Sequence, residues 1–238
     1  MKTAPPSITF IIPCYNEEKN VINAIRKVTE AANTLKISYD IIVFDDASMD
    51  GTYEVVKQYM KENSSEPVRI YRNERNRGVA YNFVEACFQG KGQYCRLVCG
   101  DDVESLDTHV KLLKEMHQAD MIIPYYTSIA NRPKFRHLIS NSFTKLVNLI
   151  TGFPIKYYNG CPIYLRKDVM RWHVESTGLG YQAELITRLL REGKSYVEVP
   201  LAGYDREGSA SLRLRNVLSV CHSLVKLVLG RLRVTLLK

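Results

Sequence analysis

Acidic residues recur in this chain in short clusters, each placed just after an apolar run. Tyr15, Asn16, Glu17 and Glu18 follow Pro13; Asp45 and Asp46 open the segment DDASMDGT; Gly100, Asp101 and Asp102 close a third run. Three acids within six positions repel one another, and folding alone rarely demands that. Carboxylates such as Asp45 and Asp46 are suited to accept hydrogen bonds from the N–H of a nucleotide base or from ribose hydroxyls. A pair such as Asp101 and Asp102 is suited to a hard divalent cation, Mg2+ or Mn2+, that bridges two phosphates. Glu17 and Glu18 also read as acids opening a helix, where the macrodipole favours them. Asp50 and Gly51 also read as a plain turn.

These clusters are positioned by an alternation of strands and helices. Ser7 to Pro13 is a short β-branched run that reads as a buried strand. Residues 17–35 carry Val21, Ala24, Ile25 and Val28 at helical spacing. Asp40 to Phe44 reads as a strand, Thr52 to Met60 as a helix, Val68 to Tyr71 as a strand, Gly78 to Phe88 as a helix and Tyr94 to Cys99 as a strand. Such alternation specifies parallel βαβ units. In a parallel sheet the carboxyl ends of the strands share one edge, and ligands bind there. Strand order alone therefore predicts that the clusters meet. Further on, helices are expected over Asp107 to Met116, Lys134 to Ile150 and Tyr181 to Glu192, and strands over Met121 to Pro124 and Tyr196 to Pro200. Gly152 to Tyr164 is aromatic and turn-rich.

The 238 residues suit one large α/β domain, and 45% apolar content is ordinary for a globular chain. A net charge of +8 biases the partners toward anions. Six cysteines occur without a C-x-x-C pair, which argues against structural zinc and for a reducing compartment. The five histidines are scattered and are expected at surface or core positions. The amino terminus lacks a signal-peptide core, and no run of roughly 18 apolar residues is present. Neither RNP-like aromatics nor zinc-finger spacing appears, so nucleic acid is not an expected partner.

The order P-x-Y-N-E-E, DD-x-S-x-DGT, N-x-G before a helix and an acidic strand end resembles the family-2 glycosyltransferases. Within them it is most similar to the dolichyl- and polyprenyl-phosphate sugar transferases. GLGYQAELITRLLREG, YVEVPL and YDREGSASLR follow in the order of those enzymes, so the resemblance covers residues 7 to 215. It implies an α/β fold of GT-A type, a nucleotide-binding sandwich with a mostly parallel central sheet. A domain over residues 1–211 is expected, followed by a basic amphipathic helical segment over 212–238, where apolar and basic residues alternate at helical spacing.

The resemblance further implies that Pro13, Tyr15 and Glu17 line the nucleotide pocket. Asp45 would contact the base, with Asp46 beside it. Asn76, Arg77 and Gly78 would approach the ribose or diphosphate. Asp101 would be the second acid of a D-x-D motif, and Arg206 and Ser209 would lie on a loop closing over phosphate. Three departures stand out. The D-x-D slot reads Cys99-Gly100-Asp101, a glutamine of some relatives is Val103, and YYNGCPIY around Asn159 and Gly160 replaces a D-x-x-S-G-F segment. The metal site is expected on Asp101 and Asp102, or weaker, or absent.

The implied reaction is inverting transfer of a sugar from a UDP- or GDP-linked donor to a polyprenyl or dolichyl phosphate. Arg206 would help to neutralise the leaving diphosphate. A phosphate acceptor is already ionised and needs no strong base; a hydroxyl acceptor would need Asp102 or Glu184. The alternatives are transfer to a glycan hydroxyl, or a silent nucleotide-sugar-binding subunit of a membrane complex. Basic residues beside apolar ones, at Lys134 to Arg136 and from Arg213 to Arg233, suggest a membrane surface or a membrane-protein partner. The expected location is cytoplasmic, peripheral to the cytosolic face of a membrane, and an oligomer is compatible with the sequence.

Overall fold

The computed structural model describes residues 6–172 and 180–204. The expected strands appear as β1 (Ile8–Cys14), β2 (Tyr39–Asp45), β3 (Val68–Arg72), β4 (Tyr94–Leu97) and β5 (Met121–Ala130), with β6 (Ile163–Leu165) and β7 (Tyr196–Tyr204) following. The helices are α1 (Val21–Thr34), α2 (Thr52–Glu62), α3 (Val79–Gln89), α4 (Leu106–Lys114), α5 (Lys134–Thr151), α6 (Arg166–Met170) and α7 (Tyr181–Arg191).

The strands form one sheet in the order β3-β2-β1-β4-β6-β5-β7. β1 pairs in parallel with β2 and β4, and β2 with β3. β6 runs antiparallel to both β4 and β5, while β5 and β7 are parallel. All strands but β6 therefore end on the same edge.

The pleat sends alternate residues to opposite faces. Ile8, Phe10 and Ile12 of β1, with Ile41 and Val43 of β2, pack with buried residues of α1, α2 and α4. Ile11, Ile42 and Phe44 face the other layer, built from α3, α5 and α7 with Val169 of α6. Each fully buried Val or Ile contributes roughly 1.5–3 kcal/mol, so both faces hold the sheet. That is why β1 and β2 read as unbroken apolar runs rather than alternating ones.

Several elements differ from expectation: β7 runs to Tyr204 instead of ending at Pro200, and the short helix α6 was not expected. β5 continues to Ala130, pairing with β7 past a register shift between Tyr126 and Ser128. Its outer half is only partly buried, so the apolar pattern stops before the strand does. β6 lies inside the turn-rich segment and is too short to show a period. β4 ends at Leu97, not Cys99. The proline of β1 is tolerated because β4 pairs only as far as Ile11, which leaves Pro13 beyond the last rung on that side.

Candidate active site

The loop after β1 and the loop after β2 are stitched together. Asn16 N donates to Ser48 Oγ (2.9 Å), Met49 N to Asn16 Oδ1 (2.9 Å) and Glu17 N to Thr52 Oγ1 (2.8 Å). Glu18 N donates to Asp50 Oδ2 (3.1 Å), and Gly51 N returns to Glu18 Oε2 (3.1 Å). Glu18 and Asp50 thus serve the fold. Burial, the largest single influence on Asp50, pushes its carboxyl up. Hydrogen bonds from the Thr52 side chain and from backbone N–H groups outweigh it, and the net effect is a lowered pKa. Pro13 and Glu17 are half-buried beside this seam, and Tyr15 is 45% exposed above it.

Asp45 and Asp46, adjacent in sequence, do different work. Asp45 is fully buried; its Oδ1 accepts from Ser48 N (2.9 Å), and Arg72 Nε lies 3.0 Å from its Oδ2. That second contact is an ion pair without hydrogen-bond alignment. Arg72 also donates to Ser48 O (2.9 Å), and a shallow depression opens there between Ser48, Asn73 and Glu74. Both oxygens of Asp46 are taken by the loop before α3. Oδ1 accepts from Asn73 Nδ2 (2.7 Å) and Arg77 N (2.8 Å), and Oδ2 from Gly78 N (2.9 Å). Gly78 caps α3 at φ 87 and ψ 159, a region essentially reserved for glycine. Asp46 therefore fixes the Asn76-Arg77-Gly78 segment. The Arg77 guanidinium lies 3.7 Å from the Tyr81 ring centroid.

The third cluster crosses the end of β1. A Cβ on Gly100 would stand 2.7 Å from Cys14 Sγ and 3.1 Å from Pro13 O, so only glycine lets the loop pass. The Cys14 thiol reports the convergence. Burial first, then Glu17, Asp45, Asp101 and Asp50, raise its pKa well above the usual thiol range. Acids from three separate loops therefore surround one sulfur, as strand order requires. Each of these loops also holds a non-glycine residue at positive φ: Asn16 at 60°, Ala47 at 63° and Asp102 at 61°. Such strain gathers at functional sites.

The left-handed turn at Asp102 separates it from its neighbour. Asp101 lines a cavity of about 340 Å³. Asp102 does not; Lys27 Nζ of α1 holds its carboxylate at 2.9 Å and also donates to Glu104 O (3.2 Å). The two carboxylates are thus not presented together to one ion. Among the described residues no group of three or more His, Cys, Asp or Glu side chains could hold a metal. Glu184 lies half-buried in the first turn of α7 and does not line the cavity either. Arg206 and Ser209, like the whole 212–238 segment, fall outside the described residues.

The cavity occupies the edge between β4, β5 and β7. Its outer wall includes Arg132, Arg136, Tyr157 and Asn159, and its inner wall Cys99, Glu104, Tyr126, Cys161, Tyr181 and Gln182. Arg132 Nη1 donates to Tyr157 Oη (3.4 Å). The segment around Asn159, flagged by its departure from the family pattern, does reach the cavity. Under the inner wall lies Arg96 of β4, 1% exposed. Its Nε donates to Cys161 O (3.1 Å), Nη1 to His109 Nδ1 (2.7 Å) and Nη2 to Glu104 Oε1. Sequence reasoning missed this network. A charged residue inside the apolar run YCRLVC was the available signal, because a buried arginine needs partners.

Comparison with known proteins follows the same lines. The model of the family described as "Glycosyl transferase family 2" matches residues 9–172, more than half of the chain. A dolichyl-phosphate beta-glucosyltransferase of Dictyostelium discoideum is 28% identical over 118 residues, which are 48% of this chain and 36% of that protein. One of Trichomonas vaginalis is 21% identical over 243 residues, covering 93% of this chain and 70% of that protein. Among solved structures, mannosyl-3-phosphoglycerate synthase from Rubrobacter xylanophilus superposes with a TM-score of 0.72 at 16% identity, covering 96% of this chain and 74% of that one. A mannosyltransferase from Pyrobaculum calidifontis, in complex with GDP-Man and Mn2+, gives 0.68 at 18% identity, covering 94% of this chain and 64% of that one. At such identities the structural likeness carries the fold alone. With the family model running from β1 to Trp172, and with that fold, the chain belongs to glycosyl transferase family 2 and has its GT-A sandwich.

Proposed function

We propose that this chain transfers a hexosyl unit from a UDP- or GDP-linked donor to a polyprenyl or dolichyl phosphate, with inversion at the anomeric carbon. It would do so as a peripheral enzyme on the cytosolic face of a membrane. The observation that carries the reading is the division of the site at Asp101. On one side stand the tips of β1, β2 and β3, with Tyr15, Asp45, Arg72 and the segment that Asp46 fixes. That side suits a nucleotide. On the other side lies the cavity, whose outer wall bears Arg132 and Arg136 and suits an anionic acceptor. The names of the Dictyostelium and Trichomonas relatives support a dolichyl phosphate.

Asp101 is the residue that would hold a divalent ion, as a single carboxylate ligand, since Mg2+ is commonly bound through one or two carboxylates plus substrate phosphates. Such an ion supplies neutralisation of the charge that develops on the leaving diphosphate. Arg206 and Ser209 would close over that diphosphate. A phosphate acceptor arrives ionised and needs no strong base. The placement of Asp102 and Glu184 outside the cavity lining fits this.

The test is transfer from radiolabelled UDP-glucose or GDP-mannose, with Mn2+ and polyprenyl phosphate in detergent. Label should move into the organic phase as an acid-labile glycosyl phosphate. Label found only in water-soluble products, or none with either donor, overturns the assignment.

A further inference from the structure

Two buried acceptor groups on the inner cavity wall have no protein partner. Glu104 is 9% exposed, and its Oε1 is held by Arg96 while its Oε2 is buried without a hydrogen bond. Gln182 is 6% exposed, and its Oε1 is likewise unsatisfied. Its Nε2 donates to Cys161 Sγ, at 3.9 Å. Both side chains line the cavity that Asp101 enters. Leaving a buried carboxylate oxygen unmet is costly, so a group that meets it gains correspondingly.

The chemistry of that group is narrow. Arg96 already balances the charge of Glu104 and is locked by His109 and Cys161, so the wall does not call for a second cation. A phosphate would face two carboxylates, Glu104 and Asp101. Neutral O–H donors satisfy both acceptors without any charge cost. Tyr126 and Tyr181 beside them supply the apolar surface that the C–H face of a ring needs.

We propose that Glu104 and Gln182 form the hydroxyl-reading wall of the sugar subsite and set which hexopyranosyl unit is accepted. This rests on the donor reading above and deepens it. The cavity is then polarised: hydroxyls bind at the Glu104 and Gln182 end, and phosphate binds at the Arg132 and Arg136 end.

The test compares sugar-bearing with sugar-free nucleotides on the full chain. Affinities for UDP and UDP-glucose, and for GDP and GDP-mannose, are measured by calorimetry in Mn2+. The proteins are wild type, Glu104→Gln and Gln182→Met. Each variant should keep its affinity for the nucleoside diphosphate and lose about tenfold or more for the matching nucleotide sugar, as expected when a site built to hydrogen-bond a hydroxyl is disabled. Gln182→Met leaves the Arg96 pair intact, so it reads the wall even if Glu104→Gln fails to fold. Equal losses for diphosphate and sugar nucleotide, or none for either, overturn the inference while leaving the donor reading standing. Wild type that binds none of the four ligands overturns both.

Discussion

His109 sits on α4 against Arg96, and its proton is placed by elimination. Arginine has no acceptor, so Nδ1 of His109 accepts and Nε2 carries the hydrogen. Burial first, then Arg96 and Lys27, hold its pKa well below the ordinary histidine value. The unfolded chain therefore takes up this proton first as pH falls below about 6.5. Stability is full above that pH and declines below it, until the folded pKa is reached. Asp50 acts in a separate window: its lowered pKa adds stability that is lost only below the ordinary aspartate range of about 4. His109→Asn keeps an acceptor for Arg96 and removes the titration. Its urea midpoint should be nearly flat between pH 7 and 5, whereas that of the wild type should fall. Equal slopes for the two proteins would show that His109 is not the acid-labile group.

At the level of elements, the entry to α3 is the joint on which the proposed nucleotide side depends. Three donors from the segment before it converge on Asp46, and Gly78 turns at φ 87. Asp46→Asn sets an amide N–H against one of those donors, at an expected cost of about 1–3 kcal/mol. Gly78→Ala forces a side chain into a glycine-only region, at about 1–3 kcal/mol. Both variants should lower the denaturation midpoint and weaken nucleotide binding together. Weakened binding with an unchanged midpoint would instead put the Asp46 carboxylate on the ligand. The expected helices were legible by their period and the parallel strands by their unbroken apolar runs. β6 and the outer half of β5 were not, since a three-residue strand and a half-exposed strand end carry neither signal.

Across the whole molecule, charge and apolar surface coincide on α5. Phe135, Leu138, Ile139, Leu146 and Leu149 are all exposed on it, along one side of the helix. From Met121 to Lys167 the sequence holds Arg132, Lys134, Arg136, Lys145, Lys156, Arg166 and Lys167 and not one Asp or Glu. An anionic bilayer complements both properties. Arg136 of this helix also lines the cavity. Among the described residues no helix is long and apolar enough to cross a membrane. The full chain should cosediment with phosphatidylcholine–phosphatidylserine vesicles in low salt and be released as salt screens the charges. Leu138→Glu with Leu149→Glu should abolish cosedimentation without changing the melting temperature. A large loss of melting temperature, or a change of oligomeric state, would mean that the row is covered by protein instead.

The sequence by itself determined the family, the parallel sheet and the shared edge. Each of these follows from local pattern: apolar runs make strands, and strand direction places every loop. It located Asp45, Asp46 and Asp101 at that edge, yet it could not say what their oxygens do. Only the tertiary structure decided that Asp46 is taken up by backbone N–H groups, that Lys27 holds Asp102 away from the cavity, and that Arg96 takes one oxygen of Glu104 while the other is buried without a hydrogen bond. The reason is physical. Whether a carboxylate serves the fold or a ligand depends on which donors reach it, and those donors stand anywhere from 8 to 75 residues away along the chain.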